Sequence, residues 1–268
     1  MILEKLLLKS EVAVPKSEGK KSAMLEFITT EDGSKTIYNS EVGENYHSIH
    51  GALQESQHVF LNSGLIYFLD KRESTFNENN IKVSPPGGEL KGAGVTILEV
   101  GFGTGLNFLL SADHCTAKQV SLEYTGIEAY PLDAGLISQT GYDQYISAPV
   151  WDSFINQYPD SLKNPVRINP FCQLQTAHCQ LLNFSSSKQY DVIYFDAFAS
   201  ARQPEMWDEQ AITHTIGSLK PGGVFVTYAI TGNLKRMLKS LGLKVEKAPG
   251  APGKREMLRA TKCADMQM

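Results

Sequence analysis

Three glycines stand at every second position in the stretch ILEVGFGTGLNF, which covers residues 97–108. Gly101, Gly103 and Gly105 follow a β-branched segment and precede an apolar segment that is predicted to be helical. A strand that ends in glycines and leads into a helix presents free backbone N–H groups and lets a ligand approach the main chain closely. The dinucleotide pattern G-x-G-x-x-G would place its last glycine at Leu106, so this loop predicts a related ligand site that differs from that pattern.

Two acidic residues accompany the loop. Glu99 stands two positions before the first glycine, and Glu128 ends the next predicted strand, LEYTGIEA. A carboxylate beside the loop repels a pyrophosphate but attracts the ammonium and sulfonium groups of S-adenosylmethionine, which contains no phosphate. A carboxylate at the end of the second strand can bind both ribose hydroxyls. Together these features favour S-adenosylmethionine over NAD, and the alternative is a structural turn that binds no ligand.

A third acidic residue, Asp196, lies in YFDAFASARQPEMW (194–207), after the fourth predicted strand. In an open parallel sheet the carboxyl ends of the strands form the ligand crevice, so we expect Asp196 to face the transferred group. An aspartate at a strand end can also be a simple helix cap or turn former. The aromatic residues around it favour a pocket that excludes water and accepts a planar substrate: Tyr194, Phe195, Phe198 and Trp207.

Alternating strands and helices are predicted to position these groups. After the proline- and glycine-rich break at 83–94, the predicted strands are VTILEV, LEYTGIEA, RINPFCQLQT, YDVIYFDAF and GGVFVTYA. This alternation predicts an α/β fold with a mostly parallel sheet covered on both faces. The segment LKVEKAPGAPGKREMLRATK is read as two strands around a turn too short for a parallel crossover. The last strand is therefore expected to run antiparallel at the sheet edge.

Residues 1–92 are predicted to form an N-terminal α+β extension that packs on a domain of residues 93–263. Between residues 24 and 70, the β-like runs AMLEFITT, HVFLNS and LIYFL alternate with turn residues, which predicts a hairpin, a helix and a short strand. No stretch approaches the roughly 18–20 apolar residues of a membrane span, and no signal peptide is predicted. We therefore expect a cytoplasmic protein without membrane partners.

Cysteines and histidines give no metal-binding pattern. The four cysteines form no CxxC pair and no zinc spacing, so reduced, buried thiols are expected: Cys115, Cys172, Cys179 and Cys263. His47 and His50 have an HxxH spacing but no evident third ligand, and we interpret them as surface or packing residues.

The charge distribution is uneven. A net charge of −4 argues against a strongly basic nucleic-acid binder. The segment 235–262 nevertheless contains nine basic residues and only two acidic ones. This segment is either a solvated face with lysines that protect a sheet edge, or a patch that faces phosphate groups.

Four motifs carry a specific resemblance. LEVGFGTGLNF, YFDAFASARQPEMW, LKPGGVFVTYA and GKREML resemble, in order and spacing, the methyltransferase family of the bacterial bifunctional enzyme that completes 5-methylaminomethyl-2-thiouridine at the tRNA wobble position. ESQHVFLNSGL is also similar, and the similarity covers about residues 30–262. The resemblance implies a class I methyltransferase-like Rossmann fold in a stand-alone form, because the FAD-binding oxidase half has no counterpart here.

The resemblance also implies a reaction and a set of site residues. The reaction is methylation of the 5-aminomethyl nitrogen of the wobble (2-thio)uridine by S-adenosylmethionine, without FAD or a metal. Asp196 corresponds to the catalytic aspartate of the family. The predicted cofactor residues are Glu99, Gly101, Gly103, Gly105, Asn107, Glu128 and Gln180. The acidic residue that the family has at the adenine amine is not visible in LQTAHCQLLNF, where Gln175, His178 or Gln180 could accept from that amine instead. The predicted substrate residues are Phe198, Lys254 and Arg255.

Three functions remain open at this point. The first is a tRNA methyltransferase, whose partner would be a separate FAD-dependent or aminomethyl-forming tRNA-modification enzyme. The second is a methyltransferase that acts on a small-molecule amine, which the acidic net charge suits. The third is a non-catalytic S-adenosylmethionine-binding protein, because Ala197 and Ser200 stand where the family usually has glycine and proline.

Overall fold

The structure, a computed structural model, describes residues 11–13, 24–78 and 94–263. A small antiparallel sheet is formed, in this order, by β1 (Glu11–Ala13), β2 (Met24–Thr29), β3 (Lys35–Asn39) and β4 (Glu44–Asn45). The strands of the main sheet are β5 (Val95–Val100), β6 (Leu122–Glu128), β7 (Val166–Asn169), β8 (Cys172–His178), β9 (Tyr190–Phe195), β10 (Leu219–Thr227), β11 (Leu243–Pro249) and β12 (Glu256–Lys262).

The main sheet has the order β11-β12-β10-β9-β5-β6-β8-β7. The five central strands β10, β9, β5, β6 and β8 are parallel, which confirms the predicted mostly parallel α/β sheet. The last strand, β12, runs antiparallel to β10, as predicted. It lies between β10 and β11, however, so β11 forms the edge of the sheet.

The predicted strand RINPFCQLQT is in fact two strands. β7 and β8 pair antiparallel and are joined by a tight turn. The side-chain Oδ1 of Asn169 accepts hydrogen bonds from the backbone N–H groups of Phe171 and Cys172, at 2.9 and 3.0 Å. This side-chain turn reverses the chain at Pro170, which has no N–H to offer a continuous strand.

Helices cover both faces of the main sheet. After α1 (Ala52–Glu55) and α2 (Tyr67–Glu78), the helices are α3 (Leu106–Lys118), α4 (Ala134–Ile137), α5 (Ala148–Ser161), α6 (Glu209–Gly217) and α7 (Gly232–Ser240). Residues that alternate along β5 enter two separate clusters: Ile97 packs with α3 and α5, and Leu98 packs with α6 and α7. Burial on both faces explains why the predicted parallel strands are continuous apolar runs.

The N-terminal region contains more helix than predicted. The hairpin of β2 and β3 is present, but HVFLNS and LIYFL, predicted as β-like, belong to a helical segment in which a π-helical stretch (Ser56–Ile66) joins α1 to α2. Gly64 explains how this segment packs so closely, since a Cβ there would lie 2.7 Å from the ring of Tyr194. Val59 and Leu65 of the segment are fully buried in the cluster that contains α3. Tertiary packing against β9 therefore outweighs the local β propensity.

The N-terminal hairpin also contacts the main domain directly. The Tyr142 hydroxyl donates to the backbone carbonyl of Lys35 at 3.1 Å, and the ammonium of Lys35 donates to the carbonyl of Gln139 at 3.3 Å. Ile37 of β3 is fully buried in the same cluster as α3 and α5. In the part of the chain that the structure describes, no helix has the length and apolar character needed to cross a membrane.

Candidate active site

The glycine loop between β5 and α3 makes a turn that only glycine fits. Gly101, Gly103 and Gly105 have φ angles of +87°, +52° and +78°, in the left-handed region. A Cβ at Gly101 would lie 2.4 Å from the backbone carbonyl oxygen of Asp196, and one at Gly103 would lie 2.8 Å from the ring of Tyr46. The loop therefore brings its main chain directly against the aspartate predicted to be catalytic.

Glu128, at the end of β6, is held by backbone groups on both sides. One carboxylate oxygen accepts the N–H of Gly103 at 2.9 Å, and the other accepts the N–H of Tyr130 at 2.9 Å. Burial raises the pKa of Glu128, and these hydrogen bonds oppose the rise. Because each carboxylate oxygen has two acceptor sites, both oxygens can still accept a ribose hydroxyl.

Glu99 lies beneath the loop rather than in the cleft. It is 1% exposed, and its two oxygens accept 2.8 Å hydrogen bonds from the Asn107 amide and the Tyr124 hydroxyl. Burial and the neighbouring Asp196 raise its pKa well above the ordinary value. Glu99 therefore holds the side chain of Asn107 in position in this structure.

Asp196 directly follows β9 and faces the cleft. Its carboxylate accepts a 2.8 Å hydrogen bond from the Asn107 amide. Burial and the negative charge of Glu55 raise its pKa to about 8, against the opposing effects of Asn107 and Lys254. The carboxyl group is therefore mostly neutral at pH 7, and an arriving cation favours its ionised form.

The backbone around Asp196 is fixed on both sides. The N–H of Asp196 donates to the carbonyl of Val100 at 2.9 Å. The next two carbonyls, of Ala197 and Phe198, accept hydrogen bonds from side chains at 2.8 Å each. The donors are the hydroxyl of Tyr228 and the indole of Trp207. The aspartate is thus held in place before any ligand binds, which is what electrostatic catalysis requires.

These groups surround a cleft of about 310 Å³ at the carboxyl ends of the central strands. Six predicted site residues line it: Gly101, Gly103, Glu128, Gln180, Asp196 and Phe198. Glu99, Gly105 and Asn107 are not among the lining residues and support the site from behind. Of the three candidates for the adenine amine, Gln180 lines the cleft, whereas Gln175 and His178 do not.

Lys254 and Arg255 lie outside the residues that line the cleft. The ammonium of Lys254 forms an ion pair with the buried carboxylate of Glu55 and lies 4.0 Å from the centre of the Tyr228 ring. Arg255 is exposed. The sequence places both residues in one turn, but the structure gives them different surroundings, and their contact with substrate stays a prediction.

The N-terminal region supplies a wall of the cleft that the sequence analysis did not identify. Its contributing residues are Asn39, Val42, Tyr46 and His47. The Tyr46 ring meets the Phe198 ring edge-on, with centroids 5.1 Å apart. Burial lowers the pKa of His47 to about 4, so this imidazole is neutral. Only the aromatic and histidine content of NYHSIH could have drawn attention to these positions.

His47 and His50 contact residues of the N-terminal region, and the four cysteines differ in burial. His47 lies 3.3 Å from the Thr36 hydroxyl, and the exposed His50 lies 3.1 Å from Glu31. Within residues 11–13, 24–78 and 94–263, no group of side chains is arranged to bind a metal ion. All four cysteines are free, but only Cys115 and Cys172 are buried, which corrects the expectation that all would be. Cys263, near the C-terminus, is exposed.

Comparison with known proteins indicates which kind of enzyme the chain resembles. Residues 147–263 match a family model described as S-adenosyl-L-methionine-dependent methyltransferase. Over most of its length the chain is also similar to proteins named MnmC. The cofactor predicted from the glycine loop and its carboxylates is confirmed by this match.

The curated relatives are longer than this chain. The chain is 28% identical over 261 residues to the tRNA 5-methylaminomethyl-2-thiouridine biosynthesis bifunctional protein MnmC of Magnetococcus marinus. This alignment covers 93% of the chain and 35% of that protein. It is 29% identical over 235 residues to the protein of the same name from Methylobacillus flagellatus, with 82% and 33% covered. The chain therefore spans about a third of the length of these relatives.

A solved structure shares the fold. The crystal structure of MnmC2 from Aquifex aeolicus aligns with a TM-score of 0.67 and 20% identity, and the alignment covers 96% of this chain and 74% of that one. This likeness confirms the class I methyltransferase-like fold with an N-terminal addition.

The residues of the cleft fit S-adenosylmethionine. Gly101 and Gly103 line the cleft with main chain and carry no side chain that would cover it, and Glu128 retains acceptor sites for ribose. Glu128 and Asp196 line the cleft, and a sulfonium or ammonium that approaches them favours their ionised forms, whereas a pyrophosphate would not. The volume of about 310 Å³ lies within the range of small-molecule sites.

Proposed function

We propose that this protein transfers the methyl group of S-adenosylmethionine to the 5-aminomethyl nitrogen of a wobble (2-thio)uridine in tRNA. The observation that carries the proposal is the position of Asp196, which is fixed at the cleft floor against the main chain of the glycine loop. The relatives are tRNA 5-methylaminomethyl-2-thiouridine biosynthesis proteins, and this supports tRNA as the substrate class. Because tRNA is a cytoplasmic substrate, the proposal also implies a cytoplasmic protein.

The chemistry of the substrate defines what the chain must do. S-adenosylmethionine, when bound, supplies an electrophilic methyl group. A primary alkyl amine has a pKa of about 10, so it is mostly protonated at neutral pH and must lose a proton to become a nucleophile. The enzyme must also stabilise the positive charge that develops on the nitrogen.

Asp196 is suited to both tasks. With a pKa of about 8 in the free protein, its carboxyl group can exchange a proton near physiological pH. Once ionised, it stabilises a neighbouring ammonium electrostatically in a site where water is largely excluded. The hydrogen bond from Asn107 holds one carboxylate oxygen and leaves the other for the substrate nitrogen.

The aromatic wall of the cleft suits a flat heterocycle. The rings of Tyr46 and Phe198 and the thioether of Met206 line the cleft beside Asp196. RNA-modifying enzymes hold an extruded base by stacking against aromatic and apolar side chains. An extruded uridine between these residues would direct its 5-substituent toward the carboxylate.

Nucleoside analysis tests this function directly. We expect tRNA from cells that lack the gene to accumulate 5-aminomethyl-(2-thio)uridine and to lose the methylated form. Purified protein and S-adenosylmethionine should restore the methyl group on that tRNA, whereas the Asp196→Asn variant should not. An unchanged nucleoside profile would overturn the proposal.

Two other functions would give different results. A methyltransferase for a small-molecule amine would leave tRNA nucleosides unchanged but would consume S-adenosylmethionine in the presence of a metabolite extract. A non-catalytic binding protein would bind S-adenosylmethionine in calorimetry and consume it with neither substrate. The supply of the free amine by a separate tRNA-modification enzyme, FAD-dependent or aminomethyl-forming, stays a prediction.

A further inference from the structure

A basic groove lies outside the catalytic cleft, between α7 and β11. It has a volume of about 510 Å³ and is lined by Gly232, Lys235, Arg236, Lys239, Val245 and Lys247. We call this the α7 groove. Four of its six lining residues are cationic and none is acidic. On a protein with a net charge of −4, this surface is a local exception.

Seven of the nine basic residues in 235–262 fall into two groups. Of the other two, Lys244 lies 3.9 Å from Glu246 and Arg255 is exposed in the turn before β12. The first group is engaged: Lys254 pairs with Glu55, Arg259 pairs with Glu246, and Lys262 donates to backbone carbonyls. Their charges serve contacts within the fold, so they are not available to a partner to the same degree.

The second group has either no such partner or an exposed one. The side chains of Lys235, Arg236 and Lys239 form no ion pair or hydrogen bond with any residue that the structure describes. Lys247 pairs with Glu256 at 3.1 Å, but that pair is solvent-exposed and weak. The α7 groove therefore brings together three unpaired cations of the segment, which a fold-stabilising role does not explain.

The first turn of α7 begins at the same edge of the sheet as the cleft. α7 and Asp196 both follow the carboxyl ends of neighbouring parallel strands, β10 and β9. β11 lies three strands from β9, or about 14 Å at the usual strand spacing. At about 3.4 Å per stacked nucleotide, a nucleic-acid strand covers this distance in about four nucleotides.

We propose that the α7 groove binds the phosphodiester backbone of the RNA whose base enters the cleft. This inference rests on the proposed function and names the surface that holds its substrate. Lysines can also stand on an edge strand to prevent aggregation. That role accounts for exposed cations on β11, but three of the four groove cations are on α7.

The test removes the three unpaired cations with Lys235→Gln, Arg236→Gln and Lys239→Gln in one variant. Each phosphate contact contributes about 0.7–0.9 to the slope of log affinity against log salt concentration, so the slope for tRNA should fall by about 2–3. With tRNA from cells that lack the gene as substrate, we expect KM to rise at least about tenfold near 0.1 M salt. The value of kcat at saturating tRNA and the Kd for S-adenosylmethionine should stay unchanged.

A matched control removes three exposed lysines elsewhere, Lys118→Gln, Lys163→Gln and Lys188→Gln. The control has the same net charge as the groove variant and should keep wild-type KM and salt slope. Equal losses in the two variants would mean a non-specific charge effect and would overturn the inference.

The remaining outcomes separate the two proposals. If the wild-type protein methylates tRNA and the groove variant has an unchanged KM and salt slope, the groove inference is wrong and the proposed function stands. If the wild-type protein neither binds nor methylates tRNA, both are wrong. Binding of the wild type to phosphatidylserine vesicles but not to tRNA would also overturn the inference and assign the groove to a membrane surface.

Discussion

The side-chain amide of Asn107 donates a 2.8 Å hydrogen bond to the carboxylate of Asp196. The same nitrogen donates at 2.8 Å to Glu99, so one amide bridges the buried carboxyl group of Glu99 and the partly buried one of Asp196. Its oxygen, Oδ1, is buried without a protein hydrogen-bond partner. Asn107 is therefore a positioning residue that links α3 and the glycine loop to Asp196.

Replacing Asn107 with aspartate tests this bridge. Asn107→Asp keeps the shape of the side chain but replaces the donor with a third carboxyl group, which disfavours ionisation of Asp196. We expect the midpoint pH at which kcat/KM rises to increase by about one pH unit. The Ser111→Ala variant removes another buried polar group of α3 that does not contact the carboxylates, and it should keep the wild-type profile. An unshifted profile for Asn107→Asp would mean that Asn107 does not tune Asp196.

The affinity for the cofactor should depend on pH through Asp196. Because burial raises its pKa to about 8, the group is neutral below that pH and gains its negative charge as the pH rises. The preference for the sulfonium of S-adenosylmethionine over the uncharged sulfur of S-adenosylhomocysteine should therefore increase between pH 6.5 and about 9. Calorimetry gives the Kd of each ligand. In the ratio of the two Kd values, the contribution of the amino-acid portion that both ligands share cancels. A constant ratio would place Asp196 away from the sulfonium.

The Asp196→Asn variant should separate binding from turnover. At pH 7 the wild-type carboxyl group is mostly neutral, so its replacement should change the Kd for S-adenosylmethionine only a few-fold. Turnover should fall by about 10²–10⁴ because the proton acceptor is lost. The melting temperature should not fall, since the variant no longer buries an ionisable group. Wild-type turnover in a folded variant would remove Asp196 from the mechanism.

The glycine loop provides a matched pair of substitutions. Gly101 and Gly222 have similar positive φ angles of +87° and +78°. A Cβ at Gly101 would lie 2.4 Å from the Asp196 carbonyl oxygen, whereas one at Gly222 would have no atom within 4 Å. Gly222→Ala should cost about 1 kcal/mol of unfolding free energy from backbone strain alone. Gly101→Ala should lower the unfolding free energy more than this and should abolish S-adenosylmethionine binding. Equal effects of the two variants on urea unfolding and on binding in calorimetry would contradict the close approach of Gly101 to Asp196.

The ion pair of Lys254 gives a further test. Glu55 is only 7% exposed at its side chain, so Lys254→Gln leaves a buried carboxylate without its partner and should cost about 2–4 kcal/mol in urea unfolding. Lys247→Gln breaks the more exposed pair with Glu256 and should cost less than about 1 kcal/mol. If Lys254→Gln instead keeps full stability and weakens tRNA binding, Lys254 acts as the substrate residue that the sequence resemblance implies.

The main domain could be predicted from sequence because its signals are local. VTILEV and YDVIYF are continuous apolar runs, as strands buried on both faces require, and the glycine spacing marks the turn between β5 and α3. Asp196 follows a recognisable strand, so its position at the crevice follows from topology. The π-helical stretch Ser56–Ile66 was missed because its apolar residues suit strand and helix equally well.

The supporting contacts of the site could not be predicted because they join distant parts of the chain. Lys254 and Glu55 are 199 residues apart, and Asn107 and Asp196 are 89 apart. The cleft wall around Tyr46 depends on how the N-terminal hairpin docks, which no spacing in the sequence encodes. Sequence patterns thus predicted the position of Asp196 at the crevice, whereas its surroundings depended on tertiary packing.

A crystal structure of the protein with S-adenosylmethionine tests the central claim most directly. We expect the ribose hydroxyls on the carboxylate of Glu128, the adenosyl group along the glycine loop, and the sulfonium methyl directed toward Asp196. A methyl group that points away from Asp196, or a ligand whose phosphates lie across Gly101 and Gly103, would contradict the account.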